Sequence, residues 1–388
     1  MDILLFGGAF DPVHCGHINI LKSAMEYKNF DKIIVMPTGT PGHKNSCKAP
    51  FALRKKFAEL SFCPLSDKIE VSDFEGESKE KSYSYLTVDY LKSKYPDGNI
   101  YFLIGSDSAI LFSKWKNWQY LLKNVNLLIF SRDLKDEKQV AAGVEFLTSQ
   151  GGKCCQVKAH ITPVSSTFLR GEIGKNCDVG EFLNPEVWQY IQKYHIYSAD
   201  YYERNIGTAR ALVPLLLKEK RASHTFNVEK LAVELAHRYS LCEKKARLCA
   251  LLHDIMKEAD EDILLHRAYQ SDIINKIPEK PLPLLHGFAA ADYAMKELGI
   301  TDGETLWALR SHTCARVGMC DMEKVIYLAD MLCEERDFAQ KDYLLSCTFK
   351  NLDFAMKEAL KASISWISSK GGRVDRDSVD ALEYFEGL

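Results

Sequence analysis

Five apolar runs of four or five residues recur through the first half of the chain: Ile3–Phe6, Lys32–Met36, Ile100–Ile104, Asn126–Phe130 and, more weakly, Val157–Ile161. Each is too short for a globular helix and reads as a buried strand. Between them, helical spacing falls at Ile18–Glu26, Phe51–Leu60, Val88–Lys94 and Glu186–Tyr194. Strands alternating with helices predict βαβ units, hence a parallel sheet covered on both faces. In such sheets ligands bind beyond the carboxyl ends of the strands. After Tyr197 the pattern changes. Ser198–Asn205 is polar, and beyond it the text is helical: Ile206–Lys218, His224–Tyr239, Glu243–Lys257, Leu284–Leu298, Thr305–His312, Met322–Cys333 and Tyr343–Ser368. The expectation is an α/β domain over residues 1–197 followed by an all-α domain over 203–388.

The first strand empties into Gly7-Gly8-Ala9-Phe10-Asp11-Pro12-Val13-His14-Cys15-Gly16-His17. Glycines let a phosphate approach backbone N–H groups, and a helix N-terminus adds positive potential. Imidazoles there can donate hydrogen bonds to phosphoryl oxygens as charge builds in a transition state. The segment is a candidate nucleotide site on these grounds alone.

Composition excludes other classes. The chain has 388 residues, 46% apolar and 27% charged, with a net charge of −3. So small a charge gives no support for a nucleic-acid or acidic-membrane partner. No apolar run approaches the ~18 residues of a spanning helix, and Met1–Phe6 lacks the flank of a signal peptide. The twelve cysteines form no Cys-x-x-Cys pair. Reduced thiols in the cytoplasm are expected. The sequence is compatible with a homo-oligomer and does not specify one.

The Gly7–His17 string, with His14-Cys15-Gly16-His17 at its end, resembles the His-x-Gly-His signature of a nucleotidyltransferase superfamily with a Rossmann-like parallel-sheet domain. Ser165-Ser166-Thr167-Phe168-Leu169-Arg170 resembles its second signature, placed where a strand ends and a helix begins. Several further strings resemble the nicotinate-nucleotide adenylyltransferase branch. They are Pro37–Lys44 ending in His43-Lys44, Tyr101–Asp107, Lys114–Trp118 with Leu121-Leu122, and Trp188–Tyr197. Two departures stand out: Ala9 replaces a hydroxyl residue, and the Ser-Tyr-Thr segment reads Tyr85-Leu86-Thr87.

This resemblance implies transfer of AMP from ATP, with Mg²⁺, to nicotinate mononucleotide, releasing pyrophosphate. It implies roles for His14 and His17 at the reacting phosphorus and for Lys44 and Arg170 on phosphate charge. Gly7, Gly8, Ala9, Phe10, His43, Thr87, Gly105, Asp107, Trp118, Ser166 and Thr167 would contact substrate. Trp115 and Trp118, three residues apart, read equally well as core.

In the second half the ordered set His224, His253-Asp254, His286, His312 and Asp330 lies in or beside expected helices. Imidazole and carboxylate from several helices suit a first-row transition metal inside a bundle. The order resembles the HD superfamily of metal-dependent phosphohydrolases. The strings Arg221–His224, Leu251–Lys257, Leu285–Gly287, Ser311–Thr313 and Tyr327–Asp330 resemble its branch of symmetrical dinucleoside tetraphosphatases. That resemblance implies two metals, usually iron, and cleavage of diadenosine tetraphosphate into two ADP. His224, His253, Asp254 and Asp330 would hold one metal; Asp254 would bridge to a second, completed by His286 and His312. Lys257 and Arg336 would meet phosphate. The rim departs from the pattern at Cys333-Glu334 and at Thr313-Cys314-Ala315. A nucleotide monophosphatase and a non-catalytic nucleotide-sensing module are the alternatives for this half.

Overall fold

The computed structural model describes residues 1–39, 47–77, 82–130, 137–157, 162–270 and 281–387. They form two compact units: Met1–Lys193 with Tyr197–Ala199, and Tyr194–Ile196 with Asp200–Leu388.

The first unit is built on six strands: β1 (Asp2–Gly8), β2 (Lys32–Pro37), β3 (Ile69–Val71), β4 (Asn99–Gly105), β5 (Asn126–Phe130) and β6 (Lys153–Val157). All pair in parallel, in the order β3-β2-β1-β4-β5-β6. The chain builds outward from β1 to β3, returns to β4 and builds the other way. Neighbouring strands β1 and β4 therefore flank the switch point, at whose carboxyl ends sheets of this kind bind ligands. Alternate residues fill the two faces. Ile3, Leu5, Ile34, Ile100, Phe102, Leu127 and Ile129 pack with Val88, Leu91 and Leu121. On the other face Phe6 meets Phe62 edge-on, with ring centroids 5.8 Å apart.

One strand begins earlier than expected, and another, β3, has no counterpart among the expected runs. The weak run expected at Val157–Ile161 meets the observed β6, Lys153–Val157, at Val157, and residues 158–161 lie outside those described. Two adjacent cysteines open that strand and hid it from an apolar count. The three-residue edge strand β3 places Glu70 between its apolar residues and is too short to show periodicity.

The second unit is helical, with no strand among its described residues. Its core joins Val228 and Leu235 of helix Glu219–Arg238, Cys249 of helix Glu243–Leu252, Val325 and Leu328 of helix Asp321–Leu332, and Met356 and Leu360 of helix Leu352–Ser369. Ala232, Ala236, Ala246 and Ala250 are fully buried among them, so backbones approach closely.

The helices expected from Ile206 and His224 begin earlier, at Tyr201 and Glu219, so the first starts inside the polar segment Ser198–Asn205, and two others break where none was expected. The helix expected to reach Lys257 stops at Leu252. There the His253 ring bonds the Ala250 carbonyl at 2.6 Å, an acceptor that a continuing helix would offer to a backbone N–H. The helix expected over Tyr343–Ser368 is two, Lys341–Thr348 and Leu352–Ser369. Asn351 restarts it as N-cap, its side chain accepting from Phe354 N at 2.9 Å. Helices Glu137–Ser149, Glu261–Gln270 and Arg376–Glu386 were not anticipated. No described helix is long and apolar enough to cross a membrane.

Two candidate active sites

In the first unit the two distant signatures meet at the carboxyl end of the sheet. β1 ends at Gly7-Gly8, and His14 precedes helix Cys15–Tyr27 as its N-cap. The second signature opens helix Ser166–Gly174, where Ser165 accepts from Phe168 N at 3.2 Å. Ser166 Oγ donates to the Pro12 carbonyl at 3.0 Å, and Arg170 donates to the Asp11 carbonyl at 2.6 Å and to Thr167 Oγ1 at 3.2 Å. The His14 and His17 rings lie 3.8 Å apart between centroids, and His17 Nδ1 accepts from the His14 N–H at 3.2 Å. That bond orients one imidazole against the helix entrance it shares with the other. Gly8 must stay small: a Cβ there would lie 2.8 Å from the buried Phe10 ring.

The remaining expected residues divide by position. Gly105 ends β4, beside β1, and caps the short helix that carries exposed Asp107. Thr87 is buried in helix Ser84–Lys94 and donates to Glu75 at 2.7 Å, while Glu75 also accepts from Gly39 N at 3.4 Å. Trp115 is half-buried and packs on Phe112, centroids 5.1 Å apart, against the core. Trp118 is half-buried against the same core and neighbours Phe146. His43 and Lys44 lie outside the described residues.

Two buried side chains that the sequence reading did not single out hold this site. The Asp11 carboxylate accepts from Lys48 N at 2.7 Å, Ala49 N at 3.1 Å and the Tyr197 hydroxyl at 2.7 Å. Burial, reinforced by Asp11, pushes the Tyr197 phenol well above its ordinary value, so it remains a donor. The Arg54 guanidinium is given wholly to backbone, bonding the Ala49, Ala9 and Gly39 carbonyls at 3.0, 2.9 and 3.4 Å. Nothing local in the sequence signals either role, because their partners are remote in the chain. Tyr197→Phe removes one donor from a buried carboxylate and is expected to cost about 1.5–3 kcal/mol of stability. Chemical denaturation monitored in the first unit checks it.

In the second unit the six expected ligands converge. His253, His286 and His312 each bond Nδ1 to the carbonyl three residues earlier, on Ala250, Pro283 and Leu309, at 2.6, 2.8 and 2.7 Å. With Nδ1 donating, Nε2 is left as a lone-pair donor, and all three Nε2 atoms face the interior. His286 Nε2 and His312 Nε2 are 3.0 Å apart. His253 Nε2 is fully buried with no hydrogen-bond partner among the described residues, which fits a metal-ligating nitrogen.

Asp254 divides its oxygens between two groups. Oδ1 lies 3.0 Å from His286 Nε2 and 3.7 Å from His312 Nε2. Oδ2 lies 3.6 Å from His253 Nε2, 3.9 Å from His224 Nε2 and 2.9 Å from Arg221. Asp330 contacts His224 Nε2 at 2.9 Å and Arg336 at 2.9 Å. Ligand atoms of His224, His253 and Asp330, and those of His253, Asp254 and His312, lie within 4.8 Å of one another. The donor chemistry and the orphaned nitrogen fit a divalent transition-metal centre.

Protonation agrees with this for His253 and His286, whereas at His224 burial is outweighed by the Asp330 and Glu335 contacts, which raise its pKa. Burial pushes His253 and His286 down to about 4, keeping them neutral. Burial opposes ionisation of Asp254, yet His253 and the His286 and His312 contacts hold it well below the carboxylate range. Asp330 is likewise held low against burial, chiefly by its bond to His224. Burial lowers Lys257, whose ammonium sits 3.2 Å from the His286 ring nitrogens.

Gly287 sets the helix spacing here. A Cβ would lie 2.8 Å from the Leu309 carbonyl, the acceptor that orients His312, and 3.2 Å from the His312 ring. Gly287→Ala is expected to cost about 1–3 kcal/mol through overpacking and to weaken metal binding. Thermal denaturation with and without added metal measures both effects.

Comparison with known proteins places these geometries. The Cytidylyltransferase-like family model matches residues 5–172 and the HD domain model matches residues 221–343. An HD domain implies dependence on a divalent metal. The chain is 31% identical over 201 residues to a probable nicotinate-nucleotide adenylyltransferase of Clostridium tetani, covering 50% of this chain and 97% of that one. It is 28% identical over 330 residues to a probable nicotinate-nucleotide adenylyltransferase/Ap4A hydrolase of Mycoplasma genitalium, covering 85% and 87%. A solved structure described as a predicted HD superfamily hydrolase involved in NAD metabolism, from Clostridium acetobutylicum, is 28% identical, with a TM-score of 0.44 and coverage of 46% and 95%. Through its first half the chain belongs to the nicotinate-nucleotide adenylyltransferase family, and its second half carries an HD domain.

Proposed function

We propose that the protein is bifunctional. The first unit transfers AMP from Mg-ATP to nicotinate mononucleotide, giving nicotinate adenine dinucleotide and pyrophosphate. The second cleaves diadenosine tetraphosphate symmetrically into two ADP. The observation that carries the first assignment is the meeting of two signatures more than a hundred residues apart, through Ser166–Pro12 and Arg170–Asp11. The substrate 5′-phosphate oxygen attacks the α-phosphorus of ATP as the bond to pyrophosphate breaks, with no covalent enzyme intermediate. Positioning and charge stabilisation supply most of such catalysis. His14 and His17 donate to oxygens of the reacting phosphoryl group, while Lys44 and Arg170 offset phosphate charge. Arg170 also fixes the turn that bears the histidines.

For the second unit the supporting observation is the divided carboxylate of Asp254, one oxygen toward each half of the ligand set. His224, His253, Asp254 and Asp330 would hold one metal, and Asp254, His286 and His312 a second, with iron our assignment. Such a pair supplies an activated water and Lewis-acid stabilisation of phosphate oxygens. Lys257 and Arg336 stand beside the ligands to meet phosphate charge, and Arg221 orients Asp254. The test uses the full-length protein. Nicotinate mononucleotide with Mg-ATP should release pyrophosphate, and metal-loaded protein should yield ADP alone from diadenosine tetraphosphate. AMP plus ATP, or turnover of monophosphates only, would overturn the hydrolase assignment. Absence of pyrophosphate release would overturn the other.

A further inference from the structure

We propose that Glu335 is a positioning residue of the metal centre, holding His224 so that its Nε2 faces the ligand set. The inference rests on the metal-centre reading above. His253, His286 and His312 lie at or beside helix ends, where a carbonyl three residues back is left for the ring. His224 lies inside helix Glu219–Arg238, whose carbonyls are taken by the helix itself, and the Arg221 carbonyl also accepts from Thr225 Oγ1 at 3.1 Å. Its Nδ1 must therefore find another acceptor, and it bonds the Glu335 carboxylate.

Glu335 is itself held for that task. Its second oxygen accepts from Asn227 Nδ2 at 2.7 Å, and the buried Cys333 thiol lies 3.2 Å from the first. Asn227 is on the same helix as His224, one turn further on. Asp330, near the end of helix Asp321–Leu332, faces His224 Nε2, and Glu335, five residues later, faces Nδ1. One segment thus grips both edges of one ring. A carboxylate behind a ligating imidazole fixes its tautomer and strengthens it as a donor. Glu334, next in the chain, points to Lys230 at 3.6 Å and is largely exposed, so it serves as the matched control.

The experiment strips full-length protein of metal and titrates it with Co²⁺, following visible absorption and chelator competition, with circular dichroism to verify folding. Glu335→Ala should lose about 10–100-fold in affinity for one of the bound Co²⁺ equivalents. Glu335→Gln, which keeps an acceptor, should recover part of the loss, Asn227→Ala should show a smaller loss, and Glu334→Ala should match the parent. Parent-like Co²⁺ affinity and spectrum in Glu335→Ala overturn this inference alone. A parent that binds no Co²⁺ overturns the metal-centre reading with it.

Discussion

Asp254→Ala is expected to abolish both metal retention and the proposed phosphohydrolysis while leaving adenylyl transfer unchanged. All four histidines of the set lie within reach of this one carboxylate, whose two oxygens face separate pairs of imidazoles. Its removal deletes a ligand from each half of the set at once. The loss of metal affinity should therefore exceed the ~10–100-fold that follows from removing an outer partner. The variant also removes the partner of Arg221, whose side chain is itself 32% exposed, and so lowers stability. Stability alone could then explain the loss of turnover. Asp254→Asn keeps the shape and one acceptor oxygen, so it should fold and still fail to bind metal. Metal content per chain and ADP release, measured on both variants, decide the matter. Retained turnover in a metal-depleted variant would defeat the proposed centre.

The second large effect belongs to the first unit. His17→Ala should lower kcat for adenylyl transfer by about 10²–10³-fold, the loss typical of one donor to a developing oxyanion. KM for nicotinate mononucleotide should change little, since the donor acts on the reacting phosphorus. His17 also accepts from the His14 N–H at the helix entrance, so alanine disturbs the turn as well. Glutamine is a usual partner at that capping position and should preserve it. His17→Gln with restored stability and kcat still low would identify the imidazole as the loss. A shift confined to KM would assign His17 to ground-state binding. Hydrolysis by the second unit serves as the internal control.

Much of this architecture was legible because it is written locally. β1, β2, β4 and β5 are runs of consecutive apolar residues buried on both faces, and β5 coincides with the expected Asn126–Phe130. The His14–His17, Ser165–Arg170, His253-Asp254 and Leu285-His286-Gly287 strings are short and contiguous, so each is legible through its resemblance to a known family signature. What stayed hidden is what distance in the chain conceals. Asp11 reads as one more acidic residue before a proline until Lys48, Ala49 and Tyr197 are folded onto it. Arg54 reads as a helix-surface cation, yet it is buried and spends its donors on three carbonyls. Glu335 lies in a charged run whose neighbours are exposed, and only the proximity of His224 distinguishes it. Helix ends were misjudged for a related reason: periodicity cannot see that a histidine ring will claim the carbonyl needed for the next turn.

That competition for carbonyls has a consequence for how the metal centre comes together. Each of the rings of His253, His286 and His312 is aimed by its own chain segment, through a contact that closes within four residues. Their orientation is prefabricated, and assembly reduces to docking segments that already carry correctly turned ligands. Changes in helix packing would then alter the spacing between ligands without re-aiming any of these three.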